Sequence, residues 1–238
     1  MLTALFALSL ISHGQAVPDH VATTPAHRLE SGWWKTRHDQ KVAVTNAGGV
    51  ELAFLGDSIT HSWENGGKEV WEKYYAHRNA ANFGFSGDRT EHVLWRLENG
   101  EMMAAKPRVV IIMIGTNNIG HGSSDPKMTA DGVHAIVFKL LSEIRGVHIL
   151  LLGVFPRSLN ADDKMRKDVA DATDRFKWLG ESEHVTFLDI GKYFLRPSGE
   201  MRTTMLPDNL HPNAAGYEIW AKAMEPTLAK LLGDEPIG

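Results

Sequence analysis

Ser58 follows an apolar run, residues 50–55 (VELAFL), and a glycine, Gly56, that permits a tight bend. A serine at such a strand-to-helix turn presents its hydroxyl and its own backbone N–H at a helix N-terminus. The partial positive charge there favours a developing oxyanion. By residue type alone an ordinary helix N-cap is the commoner use of such a serine. A hydroxyl is a weak nucleophile and needs a general base, with a carboxylate to hold the base in the right tautomer. Among 12 His, the spacing Asp-x-x-His occurs at Asp131/His134 and at Asp208/His211. Roughly one such pair is expected by chance, so context has to choose. Asp131 and His134 fall within a helical pattern, where an i, i+3 pair is a surface contact. Asp208 and His211 fall in a loop before Pro212, which opens the last helix. A loop can wrap the carboxylate onto Nδ1 and leave Nε2 facing the serine. Asp189, ending a strand, is a rival carboxylate. Two further donors complete a three-donor hole with the Ser58 N–H. Gly87 offers a backbone N–H that a ligand can approach closely. Asn117 ends a strongly apolar strand, where an amide is costly unless hydrogen-bonded, although a turn residue in Gly-Thr-Asn-Asn is its plainer reading.

These groups need a scaffold, and the chain's alternation of apolar runs with helical patterns describes one. Strands are predicted at 50–55, 80–85, 108–114, 148–154 and 185–190. Several have no polar alternation, as strands covered on both faces do not. Helices are predicted near 33–47, at 63–77, at 88–99 (capped by Asp88), at 126–145, at 161–179 and from 213 to 232. The expected fold is a single α/β domain with a five-stranded parallel sheet between two helical layers. Ligands of such sheets sit beyond the carboxyl ends of the strands, which is where Ser58, Gly87, Asn117 and the loop 205–211 fall.

Composition sets the outer bounds. With 238 residues, 43% hydrophobic, the chain can bury a core large enough for a preorganised site. A net charge of −4 argues against nucleic acid as partner. The absence of Cys excludes a disulfide scaffold, a Cys-based zinc site and a thiol nucleophile. His61 and His121 have no metal-ligand spacing, and no cofactor is implied. Residues 1–16 hold an apolar run, 2–11 (LTALFALSLI), too short to span a bilayer and suited to a secretory signal. No Lys or Arg precedes Arg28, however, so the positive n-region of a signal is missing. The expected location is secreted or periplasmic, or cytoplasmic if the leader is not a signal. Residues 17–30 are aperiodic and read as a linker to a domain over 31–238.

In this order, Gly56-Asp57-Ser58, Gly87, Gly115-Thr116-Asn117 and Asp208-x-x-His211 resemble the four blocks of the SGNH/GDSL hydrolase superfamily. The segments 82–102 (NFGFSGDRTEHVLWRLENGEM) and 153–157 (GVFPR) are similar to the catalytic subunits of the intracellular platelet-activating-factor acetylhydrolases. The resemblance implies a flavodoxin-like three-layer α/β/α sandwich and a metal-free serine esterase. Within it Ser58 is the nucleophile, Ser58, Gly87 and Asn117 are oxyanion donors, His211 is the base and Asp208 its orienter. Ile59 replaces the leucine of the name motif, and the leader has no counterpart in the intracellular subunits. Similar bacterial sequences are often exported esterases acting on acetylated carbohydrate, and that side of the resemblance fits a leader better.

About 200 residues remain after the leader and linker, and the α/β core consumes nearly all of them, so a shallow, open site is expected. Trp63, Phe85, His121, Phe155 and Leu206, near strand carboxyl ends, are its candidate lining. The expected partner is a small-molecule or carbohydrate ester, and the reaction is removal of a short acyl group. Acetyl-phospholipid or lysophospholipid hydrolysis, acyl transfer, and a non-catalytic carbohydrate-binding module are the alternatives. A homodimer is compatible with the sequence, which does not set the oligomeric state.

Overall fold

A computed structural model describes residues 18–238; the leader at 1–16 and the first linker residue lie outside the described residues. Five strands form one parallel sheet: β1 (Leu52–Gly56), β2 (Ala80–Gly84), β3 (Val109–Met113), β4 (His148–Leu152) and β5 (Val185–Leu188), in the order β2-β1-β3-β4-β5. The chain steps from β1 to one side for β2 and to the other for β3. The switch point therefore lies between β1 and β3, whose ends are in register at Gly56 and Met113.

Strand residues alternate between two cores. Ala53, Leu55, Val110 and Ile112 pack under α4 (Thr90–Glu98), α6 (Pro126–Glu143) and α7 (Lys164–Phe176). Leu52, Phe54, Val109 and Ile111 pack under α3 (Lys68–Tyr74) and α8 (Ala214–Leu232). Both faces are dry, which is why these runs show no polar alternation. The predicted helix at 63–77 is broken: Gly66 and Gly67 separate a 3-10 turn, Ser62–Glu64, from α3. Two short helices start directly at strand ends, α2 (Ser58–His61) and α5 (Thr116–Gly120). Each turns the chain sharply at the switch point. Among the described residues no helix is long and apolar enough to cross a membrane.

The segment expected as a linker is part of the packed structure over residues 18–30. Ala22 is fully buried, and its carbonyl accepts from Thr90 Oγ1 at 2.8 Å. Ala26 N donates to Glu91 O at 3.1 Å, and His20 Nε2 lies 3.2 Å from Asp131. The segment ends at α1 (Gly32–Ala47), which packs Trp34 against Phe85 and Trp95. Aperiodicity excluded a helix or strand here; it did not exclude irregular chain whose backbone groups find partners on α4.

Candidate active site

α2 begins one residue beyond the Asp57 cap, whose carboxylate accepts from Ile59 N at 3.0 Å. Ser58 is thus the first residue of the helix, half-buried, with its Oγ 2.8 Å from His211 Nε2. His211 Nδ1 lies 2.6 Å from Asp208 Oδ2. The other carboxylate oxygen, Oδ1, accepts from the backbone N–H groups of His211 (2.7 Å) and Leu210 (3.0 Å). The loop between β5 and α8 therefore folds on itself around one carboxylate. Burial alone would raise the Asp208 pKa, but hydrogen bonds from His211 and the loop backbone outweigh it and hold the group below its ordinary range. A carboxylate that stays ionised keeps the proton on Nδ1 and leaves Nε2 free to accept from Ser58.

The three groups expected as donors come from separate elements, and Asp88, next to Gly87, links two of them. Gly87 has φ +77°, a left-handed turn that favours glycine. Asn117 is buried in the first turn of α5, and its Nδ2 donates to Asp88 O at 2.9 Å. That bond uses one amide hydrogen and leaves the second to point elsewhere.

Behind these donors lies a buried ionic cluster. Asp88 was expected to cap α4, but Arg89 occupies the cap position, with its N–H donating to His92 Nδ1 at 3.0 Å. The Asp88 carboxylate turns inward instead. It accepts from Arg96 Nε (2.9 Å), Trp34 Nε1 (2.8 Å) and Arg28 Nη1 (3.2 Å). Arg96, wholly buried, also pairs with Glu101, whose other oxygen meets His38 Nδ1 at 2.9 Å. Removing one partner from such a buried network strands a charge, at a cost of about 3–5 kcal/mol.

Two further charged residues adjoin the site and have no role assigned to them from the sequence. Arg28, in the segment read as a linker, donates to Ser86 O at 2.8 Å and lies beside Gly87. Asp57 is buried beneath the serine, and burial pushes its carboxyl up to about 7. Its position next to Ser58 in Gly-Asp-Ser is the one local clue to it.

Four of the five candidate lining residues are core instead. Trp63, Phe85, Phe155 and Leu206 are all essentially inaccessible. Trp63 packs on Tyr217 and Trp220, and Phe155 on Phe194 and Trp220. At the ends of strands covered on both faces, large apolar side chains are needed to close the layers before any can line a surface. His121 lies at the end of α5 on the surface; partial desolvation of its ring and the nearby Arg89, Arg157 and Arg28 lower its pKa. Asp189 accepts from Gly191 N at 2.8 Å as a local turn cap, and Asp131 pairs with Lys127 and His20 while His134 packs on Trp178. Among the described residues no three His, Asp or Glu side chains converge as metal ligands would.

A parallel sheet with a switch-point serine in line with a histidine and a carboxylate from the last loop is an arrangement able to activate a hydroxyl in an α/β/α fold. The model described as the GDSL-like Lipase/Acylhydrolase family matches residues 54–219. The chain belongs to this family and is a carboxylic ester hydrolase. The human platelet-activating factor acetylhydrolase IB subunit alpha1 is 30% identical over 213 residues, covering 89% of this chain and 90% of its own. The rat alpha2 subunit is 30% identical over 204 residues, 85% of this chain and 86% of its own. Among solved structures, a GDSL-like lipase from Bacteroides thetaiotaomicron superposes with a TM-score of 0.67 at 15% identity, covering 84% of this chain and 97% of that one. An acetylxylan esterase from Geobacillus stearothermophilus does so with a TM-score of 0.61 at 21% identity, covering 79% and 96%. Both share the fold.

Proposed function

We propose that the protein removes short acyl groups, acetyl above all, from carbohydrate esters through an acyl-enzyme on Ser58. The observation that carries this reading is the unbroken line Ser58 Oγ–His211 Nε2 at 2.8 Å and His211 Nδ1–Asp208 Oδ2 at 2.6 Å. His211 takes the serine proton as Oγ attacks the ester carbonyl, and the imidazolium is stabilised by Asp208. The tetrahedral oxyanion is received by the N–H groups of Ser58 and Gly87 and by the Asn117 amide. Collapse expels the alcohol, which takes the proton from His211. Water then repeats the sequence on the acyl-enzyme and releases the acid.

Two features support a short acyl group and a sugar leaving group. Among the described residues, the large apolar side chains Trp63, Phe85, Phe155 and Leu206 at the strand ends are packed into the core rather than offered to a fatty chain. Trp33 is 44% exposed; its ring stacks near His61 (6.3 Å between centroids) and lies 5.6 Å from the Arg28 guanidinium. His61 is one turn beyond Ser58 on α2 and Arg28 adjoins Gly87, so the exposed indole contacts one residue on the nucleophile's helix and another beside Gly87. The acetylxylan esterase among the fold neighbours accords with a sugar ester.

The test is a substrate panel of acetylated xylan, acetylated monosaccharides, p-nitrophenyl esters of rising chain length and an acetyl phospholipid, with a covalent serine probe. The expected result is labelling of Ser58, with kcat/KM highest for acetyl esters of sugars. Preference for the acetyl phospholipid would overturn the carbohydrate reading, and wild-type turnover by Ser58→Ala would overturn the mechanism.

A further inference from the structure

The segment after β4 carries none of the groups assigned to the reaction, yet it touches both halves of the site. Arg157 is half-buried, and its Nη1 donates to Thr116 O at 2.8 Å and lies 3.2 Å from Thr116 Oγ1. Thr116 opens α5 and immediately precedes Asn117, so the guanidinium grips the turn that aims the amide. Gly120, at the far end of that helix, makes the grip possible: a Cβ there would sit 2.2 Å from Arg157 Nη1.

The next residue reaches the other half. Ser158 N donates to Asn209 O at 3.0 Å, and Asn209 follows Asp208 in the loop that also carries His211. Ser158 and Asn209 are both left-handed, with φ of +66° and +61°. A non-glycine residue held there costs about 1–2 kcal/mol and persists when its surroundings dictate it. Arg166, buried at the start of α7, does so for Ser158. Its Nε donates to Arg157 O at 2.5 Å and its Nη2 to Ser158 O. These donors go to backbone carbonyls, so this arginine fixes chain geometry.

We infer that Arg157 is a positioning residue of the reaction: anchored by Arg166, it holds the Asn117 amide in register with the loop that carries Asp208 and His211. This rests on the reading above, in which Asn117 donates to the oxyanion. A donor moved by a fraction of an ångström loses much of its value to the transition state while affecting substrate binding little. The loss therefore appears in kcat rather than in KM.

A double-mutant cycle between Arg157→Met and Asn117→Ala on p-nitrophenyl acetate tests it. Arg157→Met should lower kcat about tenfold with KM within about twofold, and lower it less than about twofold once Asn117 is already Ala. Arg157→Lys, which keeps the charge and a donor, should recover most of the loss. An equal factor in both backgrounds, or a loss confined to KM, overturns the inference. Wild-type kcat in Asn117→Ala alone would instead overturn the oxyanion reading beneath it. Melting temperatures of the four proteins separate a folding defect from a catalytic one. If Arg157→Met does not fold, the same cycle with Arg157→Gln, which removes the charge but keeps a polar side chain, reads the coupling.

Discussion

The two halves of the site are built in opposite ways. The acid–base half is local and wet: Asp208 holds His211 through bonds spanning three residues, and their side chains are 56% and 37% exposed. The half proposed to receive the oxyanion is long-range and dry. Gly87 and Asn117 come from different βα units, and the Asp88 that joins them is wholly buried among Arg28, Trp34 and Arg96. A base must exchange protons and reorient slightly during turnover, which an exposed loop permits. Donors stabilise charge best when their geometry is paid for in folding, in a low-dielectric surround. Damage to the first half should cost rate alone, and damage to the second half's support should cost stability as well.

The largest effects are expected from the acid–base half. Ser58→Ala and His211→Ala should each lower kcat by about 10⁶-fold, with thermal melts unchanged within a degree or two. Asp208→Asn should cost about 10⁴-fold, by favouring the wrong tautomer, again with little change in stability because the carboxylate is exposed. A large drop in melting temperature for Asp208→Asn would break the contrast. On the other side, Arg96→Met leaves Asp88 and Glu101 buried without their shared cation. It should cost about 3–5 kcal/mol in denaturant unfolding and reduce activity with it. Asn117→Ala removes a donor outright and should lower kcat by about 10²–10³-fold.

The smallest effect concerns pH. Asp57 is raised by burial to about 7 in the folded chain, far above its unfolded value. Between those values the native state binds the extra proton, so this group's contribution to stability is full at low pH and is lost as pH rises toward 7. Asp57→Asn, a neutral mimic, should therefore raise the melting temperature at pH 8 relative to wild type and change it little at pH 4. Equal shifts at both pH values would show that Asp57 does not titrate with folding.

Much of this was legible in the chain. The five strands fall within a residue or two of the predicted runs, most plainly β1, β3 and β4, because a strand buried on both faces has to be continuously apolar. Ser58, Asp208 and His211 could be singled out because each side chain sits at a strand end or in the closing loop. The contrast between the halves was not legible. Asp88 in front of α4 has every local mark of an N-cap, and its inward turn depends on Arg96 two helical turns on and on Arg28 sixty residues earlier. The bulky strand-end residues were equally ambiguous, since lining a pocket and closing a core call for the same side chains.

What the sequence by itself determined is the alternation of elements and the order of reactive groups along them. Both are encoded in local periodicity and in the residue types that chemistry demands. Tertiary structure alone decided which polar groups are buried together, where residues 18–30 lie, and how Arg157 and Ser158 in succession bridge Thr116 to the loop that carries Asp208 and His211. Those outcomes follow from pairings between residues far apart in the chain, whose energies depend on burial and geometry that no local pattern carries.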